Sequence, residues 1–443
     1  MIETFIRKVR TVKSFVDDLR RSTTVRQTSY LYVSQIIGLI LGFAVSIFNT
    51  RWLGPDDFGL FCTTVAAAEF VTLFMDFGFF SSGARVLALK WESPQAQRQL
   101  VGLLILIGLA LSLFAAVLLF GLSFFVVELL KAPIQDLLRY FCVLLGILTF
   151  QSLVESVCRG TNRIGTLAVF NLMSRGLSLV LMGGFLVVGK YNLSLAMTSY
   201  LVGFSVSVLL ALLSLRPVFS GLRHTLRDLC LDIRSYGFKA YTGDIASTAS
   251  FRTDSLLISY FVDTTRVGHY RLANLLINPM LTFSRSLSTT LFSKLAGSAK
   301  ISSKVLWCNA GWLIFCTLGL VVLGPTLIRI FFGSKYDPVS SLLAIVSVVG
   351  VLSGLAQPLN MFLAAHGKGS YLRTAALVLT GCNLILNFVM IPIWGIWGAC
   401  YASAVARFIN LLLHLHYYRL VVAELGASAK RLEPAVRLGA MLR

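Results

Sequence analysis

Charged side chains are scarce in this chain. Only 13% of its 443 residues are Asp, Glu, Lys or Arg, whereas a soluble domain carries roughly 25%. Hydrophobic residues make up 56% of the sequence and the mean hydropathy is +0.80. This composition excludes an ordinary soluble protein. It predicts an all-α polytopic membrane protein, because long helices satisfy every backbone polar group within hydrocarbon.

The motifs of common enzymes are also missing. The sequence contains no G-x-x-x-x-G-K-[ST], no H-E-x-x-H and no G-x-S-x-G, which are the patterns of nucleotide hydrolysis, zinc proteolysis and serine hydrolysis. Its eight cysteines form no C-x-x-C pair, so we interpret them as small helix residues rather than metal ligands. We therefore expect neither an enzyme nor a cofactor.

Acidic residues are half as frequent as basic ones, 19 against 39, which gives a formal charge of +20. Such a balance can indicate phosphate recognition in a nucleic acid. Here the basic residues lie in short segments between apolar runs, which favours a topology signal and contact with anionic lipids instead. We expect no nucleic-acid partner.

Apolar runs of about 20 residues can cross ~30 Å of hydrocarbon as helices, and the sequence contains twelve of them. The predicted spans are 30–50, 59–80, 100–127, 137–157, 166–189, 193–215, 236–262, 269–293, 305–332, 339–365, 371–393 and 394–418.

The spans divide the chain into five regions. These are a basic amphipathic segment at 1–29, an N-lobe at 30–215, a polar linker at 216–235, a C-lobe at 236–418 and a basic tail at 419–443. With a cytoplasmic N-terminus, 27 of the 39 basic residues lie in or beside cytoplasmic segments and 8 on the opposite side. This excess of basic residues on the side of the N-terminus predicts that both termini are cytoplasmic.

The two halves resemble each other. The segment Asp57–Phe61, which opens the second span, is similar to Arg266–Tyr270, which opens the eighth, 209 positions later. A repeat of six spans keeps its membrane orientation, as in transporters built from parallel repeats. The pattern predicts two six-helix lobes related by pseudo-two-fold symmetry around a central cavity.

Polar residues inside the spans are the candidate functional residues, because an ionisable group at membrane depth costs about 2.5–3.5 kcal/mol on insertion scales. Asparagine and serine accompany the arginines at helical spacing, which favours a cavity that receives an anion such as phosphate. The predicted anion site comprises Arg175, Arg252, Arg285, Arg407, Asn274 and Asn278. The candidates for proton or sodium coupling are Glu69, Asp244 and Asp254. The alternative is that these charges only pair to hold helices together.

Several segments resemble one family. Arg51–Phe61, followed by Asp76-Phe77-Gly78, resembles the first two spans of polysaccharide flippases of the multidrug, oligosaccharidyl-lipid and polysaccharide exporter superfamily. Asp254–Ile258 and Val267–Ala273 are similar to the family's seventh and eighth spans. Residues 383–399, with the pattern N-x-x-x-N-x-x-x-I-P-x-x-G-I-x-G-A, are similar to its last two.

The resemblance implies a flippase of the bacterial inner membrane that moves an undecaprenyl-pyrophosphate-linked oligosaccharide for surface polysaccharide biosynthesis. A polysaccharide polymerase and glycosyltransferases are the expected partners. Two alternatives stay open at this point. One is an ion-coupled drug or cation antiporter of the same superfamily, and the other is a non-transporting scaffold of a polysaccharide synthase complex.

Overall fold

The structure is a computed structural model that describes residues 23–89, 93–189 and 191–441. Side chains are described from residue 33 to 425, except at 90–92, 190, 235–236, 239–240, 243–244, 246–251 and 293–294. Within these ranges the chain forms helices and turns only, which confirms the predicted all-α class. The side chains of the predicted amphipathic segment 1–29 lie outside the described residues, as do most of those in the tail 419–443.

We number the α-helices in chain order. They are α1 Thr23–Leu73, α2 Phe79–Leu89, α3 Pro94–Leu122, α4 Val126–Leu130, α5 Gln135–Gly146, α6 Phe150–Gly160, α7 Ile164–Val187, α8 Leu193–Ser214, α9 Leu222–Asp232, α10 Phe238–Phe261, α11 Thr264–Thr290, α12 Phe292–Ala296, α13 Ser303–Phe331, α14 Asp337–Ala365, α15 Gly369–Trp394 and α16 Ile396–Met441.

Helix α1 contains the first two predicted spans, separated by a break at Gly54. The backbone of Gly54 has φ 79° and ψ 173°, a conformation that glycine adopts without a Cβ penalty. Pro55 follows directly and suits the first turn of a new helical segment, because its missing N–H would have no partner there. The break therefore allows two spans to follow each other with a very short connection.

The second span ends earlier than the sequence predicts. Helix α1 stops at Leu73, and Phe77 and Gly78 both have positive φ, at 44° and 84°. Asp76 then caps α2, since its Oδ1 accepts a hydrogen bond of 2.7 Å from the backbone N–H of Phe80. The prediction that the second span continues to residue 80 is therefore wrong: a short polar cap competes successfully with the apolar pattern.

Nine helical segments of the described residues are long and apolar enough to cross a membrane. One of them, Val33–Leu73, contains the two spans separated by Gly54. Helices α10 and α11 have the length of a span but carry more polar residues. Counting these gives the twelve spans of the prediction. Large apolar side chains such as Phe315 and Val322 are 70% exposed, as lipid-facing residues should be.

The chain contains two compact units. The first comprises the described residues up to Val45, with Asp76–Phe114 and Ile147–Phe238. The second comprises Ser46–Met75, Ala115–Gly146 and the described residues from Lys239 onward. Most of the candidate functional residues belong to the second unit. The division into lobes at 30–215 and 236–418 stays a prediction.

Candidate functional site

Two arginines converge on one glutamate in the second unit. Glu69 lies on α1, Arg252 on α10 and Arg271 on α11. The Oε2 atom of Glu69 is 2.9 Å from Nη2 of Arg271 and 3.5 Å from Nη1 of Arg252. All three side chains are 27–28% exposed. Two guanidinium groups against one carboxylate leave a net charge of +1 at a surface that a ligand can reach. We call these three residues the arginine cluster.

The sequence prediction assigned Glu69 and Arg252 to different roles, and the structure brings them into one ion-pair cluster. Arg271 was missed as a site residue and entered only as part of the segment Val267–Ala273. The sequence could have identified Arg271, because it is an ionisable residue inside a predicted span and such residues are functional candidates.

A second cluster surrounds Asp254, which is only 3% exposed. One carboxylate oxygen of Asp254 accepts hydrogen bonds from the Tyr270 hydroxyl at 2.7 Å and the Ser403 hydroxyl at 3.2 Å. The other accepts from Nδ2 of Asn387 at 2.6 Å. Asn383 connects the partners, because its Oδ1 accepts from Asn387 and its Nδ2 donates to Ser403. We call these five residues the carboxylate cluster.

The carboxylate cluster combines helices that are distant in sequence. It joins α10 and α11 to α15 and α16, and each member is at most 7% exposed. The Oδ1 atom of Asn387 is buried without a hydrogen-bond partner among the described residues, an arrangement that costs about 1–3 kcal/mol unless something compensates it. Carboxylate, amide and hydroxyl oxygens are the ligands of small hard cations, and a lone buried carboxylate can also bind a proton.

Arg407 and Arg285 belong to the surroundings of this cluster. Arg407 interacts electrostatically with Asp254, Tyr270 and Arg285. Its side chain is half-buried on α16, whereas Arg285 is exposed on α11. Of the four predicted arginines, Arg407 is therefore within electrostatic reach of the buried carboxylate and of Arg285.

Arg175 lies on α7 in the first unit, where its Nη1 donates a hydrogen bond to the backbone carbonyl of Gly38. The lack of side chains at Gly38 and Gly42 makes room for this arginine: a Cβ at Gly38 would lie 3.0 Å from Nη1, and one at Gly42 3.5 Å. These two glycines of the first span thus accommodate a guanidinium group. Arg175 keeps an exposed surface, so part of it stays available to a ligand.

Three further candidates have a less direct part in this geometry. Asn274 turns its Nδ2 back to the carbonyl of Tyr270, at 2.9 Å, and is half-buried like Asn278. Both lie on α11 with Arg285. The side chain of Asp244 lies outside the described residues. The predicted roles of these residues stay predictions.

The two repeats meet in the second unit at equivalent positions. The Thr265 hydroxyl donates to Asp56 Oδ1 at 2.6 Å, and an ideal Cβ on Gly268 would lie 3.3 Å from the Cα of Gly59. Each pair is 209 residues apart, the offset of the repeat in the sequence. Equivalent residues touch where a two-fold axis passes. We call the contact of Asp56 and Gly59 with Thr264, Thr265 and Gly268 the joint.

Replacing Gly59 with alanine should destabilise the joint. A Cβ at this position would overlap the backbone carbonyl of Thr264, and a backbone atom cannot move aside as a side-chain end can. We expect a loss of about 1–3 kcal/mol, the usual cost of overpacking, measured by thermal unfolding in detergent. The control is Gly121→Ala, since no atom lies within 4 Å of a Cβ at Gly121. Equal melting temperatures for both variants would contradict this prediction.

Membrane-crossing helices that hold a buried carboxylate cluster and a half-exposed arginine cluster define a polytopic membrane protein of the transporter class. The chain belongs to the polysaccharide biosynthesis protein family, whose model matches residues 24–296. This confirms the family resemblance found in the sequence.

Two curated relatives are named as glycan biosynthesis proteins. A protein of Haloferax volcanii described as "Probable low-salt glycan biosynthesis flippase Agl15" is 24% identical over 407 residues, which cover 88% of this chain and 83% of that protein. The capsular polysaccharide biosynthesis protein CapF of Staphylococcus aureus is 29% identical over 99 residues, or 22% of this chain and 24% of its own.

Solved transporter structures share the fold. The lipid II flippase MurJ in its inward closed conformation has a TM-score of 0.71 at 15% identity and covers 92% of each chain. A multidrug resistance transporter of the MATE family in an inward-facing conformation has a TM-score of 0.70 at 14% identity, covering 88% of this chain and 96% of its own. Family and fold together identify a transporter rather than an enzyme, as the sequence predicted.

Proposed function

We propose that this protein is a flippase that moves a polyprenyl-pyrophosphate-linked oligosaccharide across the bacterial inner membrane, by alternating access, for surface polysaccharide biosynthesis. The family supports the glycan pathway, and the relative named as a flippase supports the reaction. The arginine cluster is the single observation that carries the proposal. It presents more positive than negative charge from three different helices within the membrane-crossing part of the chain.

Pyrophosphate matches this cluster chemically. A guanidinium group offers a planar fork of donors that can form two parallel hydrogen bonds to phosphate oxygens. Glu69 orients Arg271 and Arg252 by a shared oxygen, so less side-chain freedom is lost when an anion binds. In this proposal Arg285 and Arg407 are further contacts for the charged headgroup, with Asn274 and Asn278 beside the sugar, while the polyprenyl chain stays in the lipid. The anion-binding role predicted for Arg175, which lies in the first unit, is a separate proposal.

We further propose that the carboxylate cluster binds the coupling cation, which is sodium or a proton, and that no other cofactor takes part. Two helices contribute residues to both clusters, since Arg252 and Asp254 lie on α10 and Tyr270 and Arg271 are consecutive on α11. Cation binding at Asp254 can therefore bias the positions of Arg252 and Arg271. A ligand shifts a conformational equilibrium by its differential affinity for the two states.

The proposed location is the inner membrane, with both termini in the cytoplasm as the distribution of basic residues predicts. In this setting the partners are the lipid-linked oligosaccharide, anionic lipids, and the polymerase and glycosyltransferases that consume and supply the substrate.

Transport by the purified full chain tests the function. A fluorescent lipid-linked oligosaccharide is placed in both leaflets of protein-containing and protein-free liposomes, and a membrane-impermeant glycosidase reports the fraction that becomes accessible. Movement well above the protein-free rate supports the proposal. Efflux of an organic cation without glycan movement would favour the antiporter, and intact assembly of a synthase complex without any transport would favour the scaffold.

A further inference from the structure

The linker between the eighth and tenth helices is itself helical. Helix α9, Leu222–Asp232, continues through a π-helical turn at Ile233–Gly237 directly into α10. One side of α9 is attached within the first unit: Thr225 and Leu229 are buried there, and Asp232 forms a 3.0 Å ion pair with Arg85 of α2. The sequence had predicted this segment as a polar connection.

The opposite side of this segment carries three exposed arginines, Arg223 and Arg227 on α9 and Arg234 in the π-helical turn. Arg223 and Arg227 are four residues apart, and Arg234 follows eleven residues after Arg223, so all three return to nearly the same side of a 3.6-residue helix. None forms an ion pair with the side chains that the structure describes. Of the two acids of the helix, Asp232 pairs with Arg85, and Asp228 lies 3.6 Å from His224, so a single carboxylate stands against three arginines. The stripe therefore has uncompensated positive charge.

Large apolar side chains are exposed beside the same stripe. Leu226 is 40% exposed and Leu231 is 61% exposed, on either side of the arginines. Phe219, just before the helix, is 55% exposed and Phe238, just after the π-helical turn, is 57% exposed. Leucines and phenylalanines next to arginines on one exposed face are the composition of a helix that lies at a membrane surface, with its apolar groups at the acyl boundary.

The position of α9 limits what can cover this face. Only residues 215–221 separate it from α8, a membrane-crossing helix that ends at Ser214, and seven extended residues reach at most about 25 Å. At its other end it is continuous with α10. The helix is thus held close to the bilayer surface at both ends, which favours lipid over a soluble protein as the occupant.

We propose that the exposed face of α9 is a binding surface for anionic phospholipid headgroups. The guanidinium groups of Arg223, Arg227 and Arg234 bind the headgroup phosphates, and Leu226 and Leu231 enter the boundary of the acyl region. This interaction goes beyond the transport function, because it needs neither the arginine cluster nor the carboxylate cluster. It gives the segment that leads into α10 a lipid-dependent anchor.

Lipid binding by the purified full chain tests this surface. Native mass spectrometry in detergent micelles measures the affinity for phosphatidylglycerol and for phosphatidylcholine. A polybasic surface gains about 1 kcal/mol per arginine, or about fivefold each. The variant R223Q/R227Q/R234Q should therefore lose roughly 100-fold in phosphatidylglycerol affinity. The matched control is K300Q/K304Q/R373Q, which removes three exposed basic residues elsewhere and should change the affinity less than about threefold.

A variant that preserves the charge distinguishes a loss of phosphatidylglycerol binding from misfolding. R223K/R227K/R234K should keep most of the phosphatidylglycerol affinity, and its failure to do so would overturn the proposal. An unchanged affinity in the glutamine variant, an equal loss in the control, or equal binding of phosphatidylcholine by the wild type would overturn it as well. Loss of a co-purifying protein with unchanged phosphatidylglycerol binding would reassign the face to a protein partner.

Discussion

Replacing both Arg252 and Arg271 with glutamine is expected to reduce translocation of a lipid-linked oligosaccharide at least 100-fold in reconstituted liposomes. Each arginine can supply charge-assisted hydrogen bonds to pyrophosphate, worth about 1.5–3 kcal/mol apiece, and 1.4 kcal/mol is a factor of ten. The double variant also leaves Glu69 without its partners. The site then changes from net positive to net negative and should repel the headgroup.

The Glu69→Gln variant distinguishes a substrate-binding role of the two arginines from a purely structural one. If the cluster only held helices together, Glu69→Gln and the double arginine variant would damage transport and stability alike, since each breaks the same ion pairs. If the arginines bind the substrate, Glu69→Gln keeps both cations and should retain much more activity than the double variant. The control is Arg159→Gln, because Arg159 also pairs with a glutamate, Glu155 at 2.9 Å, but outside the cluster. Its activity should stay within about twofold of wild type.

Two results would contradict the anion-site hypothesis. One is near-normal translocation by R252Q/R271Q at matched protein levels. The other is equal loss of translocation in Glu69→Gln and R252Q/R271Q, accompanied by equal losses of melting temperature. Binding of a pyrophosphate-containing headgroup analogue, measured in detergent, distinguishes these cases because it does not depend on the conformational cycle.

The helices were largely predictable, because membrane-crossing helices follow from length and hydropathy alone. The errors arose where a short local interaction determines the backbone. The cap by Asp76 and the positive φ of Phe77 and Gly78 end the second span early, whereas the break at Gly54 lies between the first two predicted spans, as expected. The linker helix α9 was missed because its mixture of arginines and leucines has neither the length nor the hydropathy of a span.

The candidate site was predictable only one residue at a time. Asp254 and Arg252 were identified by the cost of burying charge in a membrane, a property of each residue alone. Their partners could not be derived, because the contacts between Asp254 and Asn387 or Ser403 join positions more than 130 residues apart. Asn383 and Asn387 are two polar residues four apart in an apolar run, so the sequence shows that they share one face of a helix. This spacing does not show which helix packs against that face.

Replacing Asp254 with asparagine should abolish stabilisation of the protein by the coupling cation. The substitution keeps the size of the side chain and removes the carboxylate of the buried cluster. A bound cation stabilises the folded state by RT ln(1 + [L]/Kd), about 2.7 kcal/mol at 100 times Kd. We therefore expect the wild-type melting temperature to rise when sodium chloride replaces choline chloride at equal ionic strength, and the Asp254→Asn protein to show no such rise.

The control for this experiment is Asp263→Asn. Asp263 caps α11 by accepting a 2.6 Å hydrogen bond from the backbone N–H of Arg266, and asparagine is an equally good cap, so the sodium response should be unchanged. If the wild type responds to pH and not to sodium, and Asp254→Asn removes the pH response, the carboxylate cluster is a proton site. A sodium response that survives in Asp254→Asn would contradict the assignment, because the remaining ligands of the cluster are neutral and cannot offset the charge of a buried cation.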